Sequence, residues 1–76
     1  MNTKNHNLVQ LGEQLRRKRI QVGISQEQLA LKAEIDRSYY GGIERGERNL
    51  TFLTLVKIAS VLNCDISSLT KNIPHE

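Results

Sequence analysis

The chain has 76 residues, of which 38% are hydrophobic, and this is the length of one small domain whose single core is only marginally stable without a partner. It has one cysteine, no metal-ligand cluster, no nucleophile–base constellation and no signal-peptide-like or membrane-spanning segment, so we expect a cytoplasmic, non-enzymatic protein without metal, cofactor or membrane contact. The net charge of +3 lies wholly in residues 1–48, which hold nine Lys/Arg against six acids; such a basic surface suits a polyanion, although an excess of three also occurs in proteins that bind none.

The first predicted helix begins at Leu8 and runs to Gln21. Leu8, Leu11 and Leu15 recur at i, i+3 and i+7, which is the spacing of one face of an amphipathic helix. Arg19 continues the same stripe at a position where an apolar residue is expected. Gly23 has the position of a left-handed residue that ends a helix.

Two short helices follow, separated by the three-residue turn "EID". Ser25 and Gln28 have the capping-box spacing, in which each side chain satisfies a backbone N–H of the first helical turn. Asp36 is a good N-cap for a third helix that extends from Arg37 to about Arg45. The two helices are each about two turns long.

The last third of the chain predicts a fourth helix after Thr51 and a fifth after Asp65, which Pro74 closes. The fourth helix has an apolar stripe at the 3.6-residue period, formed by Phe52, Leu55, Val56, Ala59 and Leu62. No segment alternates as a strand does. The prediction is therefore an all-α domain of five helices over residues 8–73, with flexible termini at residues 1–7 and 74–76.

The stretch "RSYYGGIERGER" contains three glycines and could be a phosphate-binding loop, a linker or part of a helix. Gly41 and Gly46 have the outer spacing of a P-loop, but Glu47 follows where the motif requires lysine. The apolar residues keep helical spacing through the glycines, which argues against a linker. Two glycines cost a helix about 1 kcal/mol each, so we expect the backbone at Gly41 and Gly42 to approach something closely, on an outward face that they leave bare.

Two short helices joined by a tight turn form a helix-turn-helix, whose second helix presents its N-terminal residues to the major groove of DNA. Residues 15–69 closely resemble the Xre, or Cro/cI-type, helix-turn-helix family in "GISQEQLA", "IERGERN" and "LNCDISSL". Within it, "DRSYYGGIERGERNLT" is most similar to the controller proteins of bacterial restriction–modification systems. The resemblance implies a compact lambda-repressor-like DNA-binding domain with its second and third helices as the helix-turn-helix. Glu34 stands where the family usually has glycine, so this turn is either left-handed at that residue or bent differently.

Several polar residues are predicted to contact double-stranded DNA. Arg37 begins the third helix, and its planar guanidinium can bind guanine O6 and N7 together. Ser38 and Tyr39 can donate to phosphates or touch base edges. The resemblance adds a phosphate contact at the start of the second helix and contacts to phosphate or the minor groove in the loop after Gly46. The alternative for each is an ordinary solvated side chain; the full predicted set is Gln26, Arg37, Ser38, Tyr39, Arg48 and Asn49.

The resemblance assigns other residues to structure and to protein contacts. It implies a partly buried ion pair between Arg19 and Glu44 that links the first and third helices. In activating relatives an acidic residue early in the second helix contacts RNA polymerase, and Glu27 matches one such position. The last helix presents an apolar face that pairs two subunits in the family, formed here by Ile66, Leu69 and Ile73.

The predicted function is a sequence-specific transcriptional regulator that binds a pseudo-palindromic operator as a homodimer. By resemblance to the controllers it activates and autoregulates. The alternative is a phage-type repressor or an antitoxin whose helix-turn-helix serves autoregulation while another face binds a protein partner.

Overall fold

Five α-helices make up the regular secondary structure of residues 5–74, the part of the chain that the computed structural model describes. No strand occurs in this part, and none of its helices is long and apolar enough to cross a bilayer. The all-α class predicted from the sequence is confirmed. In chain order the helices are α1 (His6–Val22), α2 (Gln26–Ala33), α3 (Arg37–Glu44), α4 (Phe52–Leu62) and α5 (Ile66–Leu69).

Side-chain caps mark the start of four of these helices, and three of them, α2, α3 and α4, begin where the sequence predicts. The Ser25 hydroxyl accepts from the backbone N–H of Gln28, whose side chain accepts from the backbone N–H of Ser25, so the predicted capping box of α2 is complete. Asp36 accepts from a backbone N–H in the first turn of α3, and Thr51 does the same for α4. These starts agree with the sequence prediction because capping is a local interaction.

The helix α1 begins two residues before the predicted start at Leu8. The side chain of Asn5 accepts hydrogen bonds from the backbone N–H groups of Asn7 and Leu8 and acts as the N-cap. Residues 5–7, predicted to belong to a flexible terminus, are therefore the cap and first turn of a helix. The rest of that prediction concerns residues 1–4, 75 and 76, which lie outside the described residues, and Pro74.

Left-handed residues end the helices where the sequence predicted stops. Gly23 follows α1 with φ of 88°, and Gly46 lies just beyond α3 with φ of 76°. Glu34 ends α2 at φ 59° and ψ 45°, so the turn keeps the left-handed geometry without a glycine. A left-handed non-glycine residue costs roughly 1–2 kcal/mol, which the packing of α2 and α3 has to offset.

The core receives large side chains from all five helices. Those with less than 2% of their surface exposed are Leu15 of α1, Leu29 of α2, Tyr40 and Ile43 of α3, Ile58 and Leu62 of α4, and Leu69 of α5. Burying a leucine or isoleucine side chain contributes about 1.5–3 kcal/mol. Because every helix contributes to one shared cluster, each depends on the others for its stability.

The buried face of α4 differs from the predicted stripe. Leu55, Ile58, Ala59 and Leu62 are buried, at i, i+3, i+4 and i+7. Phe52 is 67% exposed and Val56 is 38% exposed, so the prediction that they face inward was wrong. The helix is apolar on most of its circumference, and periodicity alone does not choose between two overlapping stripes.

The helix α5 is shorter than predicted and comprises only Ile66–Leu69. Asp65 precedes it but makes no side-chain capping hydrogen bond. Leu69 is 1% exposed and belongs to the core of the single chain, which corrects its placement on an exposed dimer face. The short helix turns Leu69 towards the core, while Ile66 and Ile73 remain half-buried at the surface.

A glycine brings α1 directly against the end of α3. A Cβ atom at Gly12 would lie 2.4 Å from the carbonyl oxygen of Glu44 and 2.6 Å from that of Ile43. No larger residue fits without moving one of the two helices. This approach places the later turns of α1, including Arg19, beside the side chains of α3.

Candidate nucleic-acid interface

The turn of residues 34–36 sets α3 against α2 so that α3 has an inner and an outer side. Tyr40 and Ile43 are buried on the inner side. Arg37 and Ser38, in the first turn, are exposed. This division agrees with the sequence prediction. Ser38 lies roughly half a turn from residues 40 and 43, and Arg37 is exposed because it is the first residue of the helix. The first turn of α3 is thus free to enter a groove of DNA.

Arg37 shares its surroundings with a second arginine that the sequence prediction missed. The Nη1 atoms of Arg37 and Arg45 each lie 3.3 Å from the position that a Cβ at Gly41 would occupy. Arg45 also forms an exposed ion pair with Glu47, with Nε 2.9 Å from Oε1. The signal was present in the sequence, since residues 37, 41 and 45 are spaced at i, i+4 and i+8 and lie along one helix stripe.

The prediction that Gly41 and Gly42 leave the middle of α3 bare was wrong. Both glycines are buried. The guanidinium groups of Arg37 and Arg45 and the Oε1 atom of Gln26 surround Gly41. The side chain of Arg48 lies over Gly42. The close approach expected at these glycines exists, but it is made by the protein's own long side chains.

Tyr39 joins α3 to the loop that follows it. Its hydroxyl donates a hydrogen bond to the backbone carbonyl oxygen of Asn49 at 2.7 Å. The guanidinium carbon of Arg48 lies 5.4 Å from the centre of the Tyr39 ring, within the range of a cation–π interaction. The Tyr39 hydroxyl, predicted to donate a hydrogen bond to DNA, therefore donates its hydrogen within the protein. Arg48 and the side chain of Asn49 remain exposed.

Gln26 is half-buried at the first position of α2, and its side chain reaches the interior. Its Nε2 atom donates to Oε1 of Glu44 at 2.9 Å. An amide nitrogen carries two hydrogens. The predicted phosphate contact through the second hydrogen is therefore compatible with this internal bond, which fixes the orientation of the amide.

Glu44 is the centre of a buried polar network that connects three helices. Arg19 of α1 donates from Nε at 2.7 Å and from Nη2 at 3.2 Å, so the ion pair that the resemblance implied is present and bidentate. Gln26 of α2 and the hydroxyl of Tyr40 in α3 donate to the same carboxylate. A third nitrogen of Arg19 donates to the carbonyl oxygen of Ile24 at 2.8 Å. Among the described residues, no buried side-chain nitrogen or oxygen lacks a partner.

The network also sets the protonation of its members. Burial by itself raises the pKa of Glu44, but hydrogen bonds from Arg19, Tyr40 and Gln26 outweigh it and hold that pKa below its ordinary value. The hydrogen bond to Glu44 raises the pKa of Arg19. Burial, followed by the hydrogen bond to the carboxylate, raises the pKa of Tyr40. Glu44 is therefore a permanent anion and Arg19 a permanent cation at neutral pH.

The residues predicted to contact proteins lie on α2, on α5 and beyond the end of α5. Glu27 and Leu31 are exposed on α2, with Leu31 78% exposed. Ile73 and the exposed Phe52 border an apolar groove of about 220 Å³, whose other apolar lining residues are Leu8, Leu11, Leu50 and Leu55. Ile66 does not line this groove. In residues 5–74 no group of three His, Cys, Asp or Glu side chains could hold a metal ion.

Comparison with known protein families identifies one model, described as "Helix-turn-helix", that matches residues 15–69. The match begins in the middle of α1 and ends with α5. It therefore includes the polar network around Glu44, the turn of residues 34–36, the whole of α3 and the loop carrying Arg48.

Three known proteins show how much of the chain is shared. The control protein C.MunI of Mycoplasma sp. is 35% identical over 69 residues, which cover 90% of this chain and 93% of that protein. The crystal structure of the restriction–modification controller protein C.AhdI from Aeromonas hydrophila has a TM-score of 0.83 and 42% identity, covering 86% of this chain and 98% of its own. C.Esp1396I bound to a 19 base pair DNA duplex has a TM-score of 0.79 and 34% identity, covering 86% and 87%.

Proposed function

Because the chain belongs to the helix-turn-helix family, and within it to the controller proteins of restriction–modification systems, we propose that it is a sequence-specific transcriptional regulator that binds double-stranded DNA in the major groove. The observation that carries this proposal is the exposed first turn of α3, held on a helix whose other side is buried. The relatives are regulators rather than enzymes, and the phage-repressor or antitoxin alternative is not favoured.

In the proposed complex the exposed residues divide into base contacts and phosphate contacts. Arg37 binds guanine, because a guanidinium can donate to O6 and N7 together. Ser38, Arg48 and the second amide hydrogen of Gln26 contact the phosphate backbone and fix the register of α3 in the groove. Tyr39 positions Arg48 and Asn49 for DNA and does not bind DNA through its own hydroxyl, because that hydroxyl already donates its hydrogen to the carbonyl oxygen of Asn49.

Selection of bound sites from a pool of random duplexes tests this proposal. We expect one enriched motif, and binding to it should weaken with salt by a slope near −0.9 per phosphate neutralised. Enrichment of no motif, or binding that salt does not change, would contradict a sequence-specific regulator. The same assay with Arg37→Ala should lose the preference for guanine at one position of each half-site.

We further propose that the regulator acts as a homodimer on a pseudo-palindromic operator. Phe52 and Leu53 are 67% and 71% exposed at the start of α4, and Phe52 borders the same apolar groove as Ile73. A second copy that covers these side chains would remove them from water, and the half-buried Ile66 belongs to the same proposed interface. A two-fold dimer presents its recognition helices about 34 Å apart, one turn of DNA.

Analytical ultracentrifugation at micromolar concentration tests the dimer. Phe52→Ser should shift the protein towards monomer. Leu31→Ser is the matched control, because Leu31 is also a large apolar residue with most of its surface exposed, 78% against 67% for Phe52, and lies on a different helix. If Leu31→Ser dissociates the dimer and Phe52→Ser does not, the proposed interface is wrong.

Activation, as in the resembled controllers, requires a contact with RNA polymerase, which we propose at Glu27. The residue is exposed in the first turn of α2, on the same helix as the DNA-proximal Gln26. Glu27→Gln should reduce transcription in vitro without changing the affinity for DNA. Equal loss of both would assign the residue to DNA binding.

A regulator of this kind acts where the chromosome is, so a cytoplasmic location forms part of the proposal.

A further inference from the structure

The adjacent glycines of α3 carry a structural cost that the helix-turn-helix alone does not explain. Each glycine destabilises this helix of eight residues relative to alanine. Neither has a left-handed backbone, so conformational freedom is not the reason for their presence. The reason has to be the space that their missing side chains leave.

That space differs between the two positions. A Cβ at Gly41 would approach only the mobile ends of side chains, with the nearest atoms at 3.3 Å. A Cβ at Gly42 would lie 2.4 Å from Cγ of Arg48 and 3.4 Å from its Cδ. These atoms belong to the stem of Arg48 close to the backbone, which cannot move aside without moving the whole side chain. Gly42 therefore leaves a space, the Arg48 seat, that the aliphatic part of this side chain occupies.

Two other contacts hold the upper part of the same side chain. The Tyr39 ring lies 5.4 Å from the guanidinium carbon of Arg48. The Tyr39 hydroxyl in turn donates to the carbonyl oxygen of Asn49, which ties down the backbone next to Arg48. Arg48 is thus held at its stem by Gly42 and at its charged end by Tyr39, although it is exposed to solvent.

We propose that Gly42 is a positioning residue of the DNA interface, which seats Arg48 so that its charge is fixed beside the first turn of α3 before DNA binds. The inference rests on the proposed function. A free arginine side chain loses rotamer entropy when it makes a contact. Holding the side chain in advance reduces that loss and strengthens binding without adding a contact.

A double-mutant cycle on a selected duplex tests the seat. Gly42→Ala should weaken binding roughly three- to tenfold, within the range for coupled neighbours. In an Arg48→Ala background the same substitution should have no effect, because no stem remains to be displaced. Arg48→Ala alone should lower the salt slope by about 1. Gly41→Ala is the matched control, with the same change one residue earlier and a smaller expected loss.

Thermal unfolding separates positioning from folding. Alanine favours the helix, so Gly42→Ala should unfold at or above the wild-type temperature. If the displaced stem instead destabilises the fold, the double variant Gly42→Ala/Arg48→Ala should regain the lost stability. Equal weakening by Gly42→Ala with and without Arg48, or no weakening, would overturn the inference. Failure of the wild-type protein to select any site would instead refute the proposed function.

Discussion

The two ends of α3 use charged and polar side chains for opposite purposes. At the C-terminal, or inner, end, Glu44 is buried and hydrogen-bonded to side chains from α1, α2 and its own helix. At the outer end, Arg37 is exposed and its guanidinium lies over the buried Gly41. The helix is only eight residues long. The surroundings of a charged residue in α3, rather than its type, decide whether the charge maintains the fold or is available to a ligand.

A few residues connect the two ends. Gln26 bonds to Glu44 inside and begins α2 beside Arg37 and Gly41 outside. Tyr39 packs partly on the core and holds the loop of Arg48. The orientation of the outer end is therefore determined by bonds made at the inner end.

Arg19→Ala should have the largest effect and should act on folding. It leaves the Glu44 carboxylate, only 2% exposed, without its cation. Breaking a buried pair in this way costs about 3–5 kcal/mol. Urea denaturation should show this loss, while Arg16→Ala, an exposed arginine of the same helix, should change stability by less than about 0.5 kcal/mol. An unchanged free energy of unfolding with an altered binding motif would place Arg19 in the DNA interface instead.

Arg37→Ala should have the next largest effect and should act on recognition. One bidentate contact to guanine contributes about 1–3 kcal/mol of discrimination, so the preference for the selected duplex over one with that guanine replaced should fall by about 5- to 150-fold. Titration of both duplexes measures this ratio. Lys57→Ala removes an equal charge from the exposed surface of α4 and should leave the ratio unchanged. A reduced melting temperature for Arg37→Ala would show that the two ends of α3 are not separate in function.

The smallest effect is the acid dependence of stability. The lowered pKa of Glu44 means that its stabilisation is complete above its ordinary value of 4.5 and is lost as the pH falls through the lower value of the folded state. Free energies of unfolding between pH 7 and pH 3 should therefore fall less steeply for Glu44→Gln than for the wild type. Glu13→Gln, at an exposed carboxylate, is the control and should follow the wild-type curve. Identical slopes for both variants would show that other carboxylates govern acid unfolding.

The sequence predicted the features that depend on neighbouring residues in the chain. The capping box of Ser25 and Gln28 and the N-cap Asp36 appear where expected, because each satisfies backbone groups within one turn. The order of helices follows from these starts and from the helical period, and the exposed position of Arg37 follows from its place at the start of α3. The left-handed conformation of Glu34, one of two options that the sequence left open, is the one observed.

The features that were predicted wrongly depend on contacts between distant segments. Phe52 and Val56 were placed inside and Leu69 outside, because nothing in a short apolar helix says which of its sides meets the core. Gly42 was expected to be bare. The side chain that covers it comes from the loop beyond the end of the same helix, and its path depends on Tyr39. Such contacts follow from three-dimensional packing and leave no periodic signal.

The close contact of Gly12 with the carbonyl oxygens of Ile43 and Glu44 affects the rates at which different helices open to solvent. With no side chain between them, α1 and α3 have no intermediate separation that keeps part of their contact, so water enters this contact only when the two helices separate. Cooperative units of this kind exchange their amide hydrogens through a common opening. We therefore expect the amides of these two helices to exchange at one slow rate, while those of the four-residue α5 exchange first.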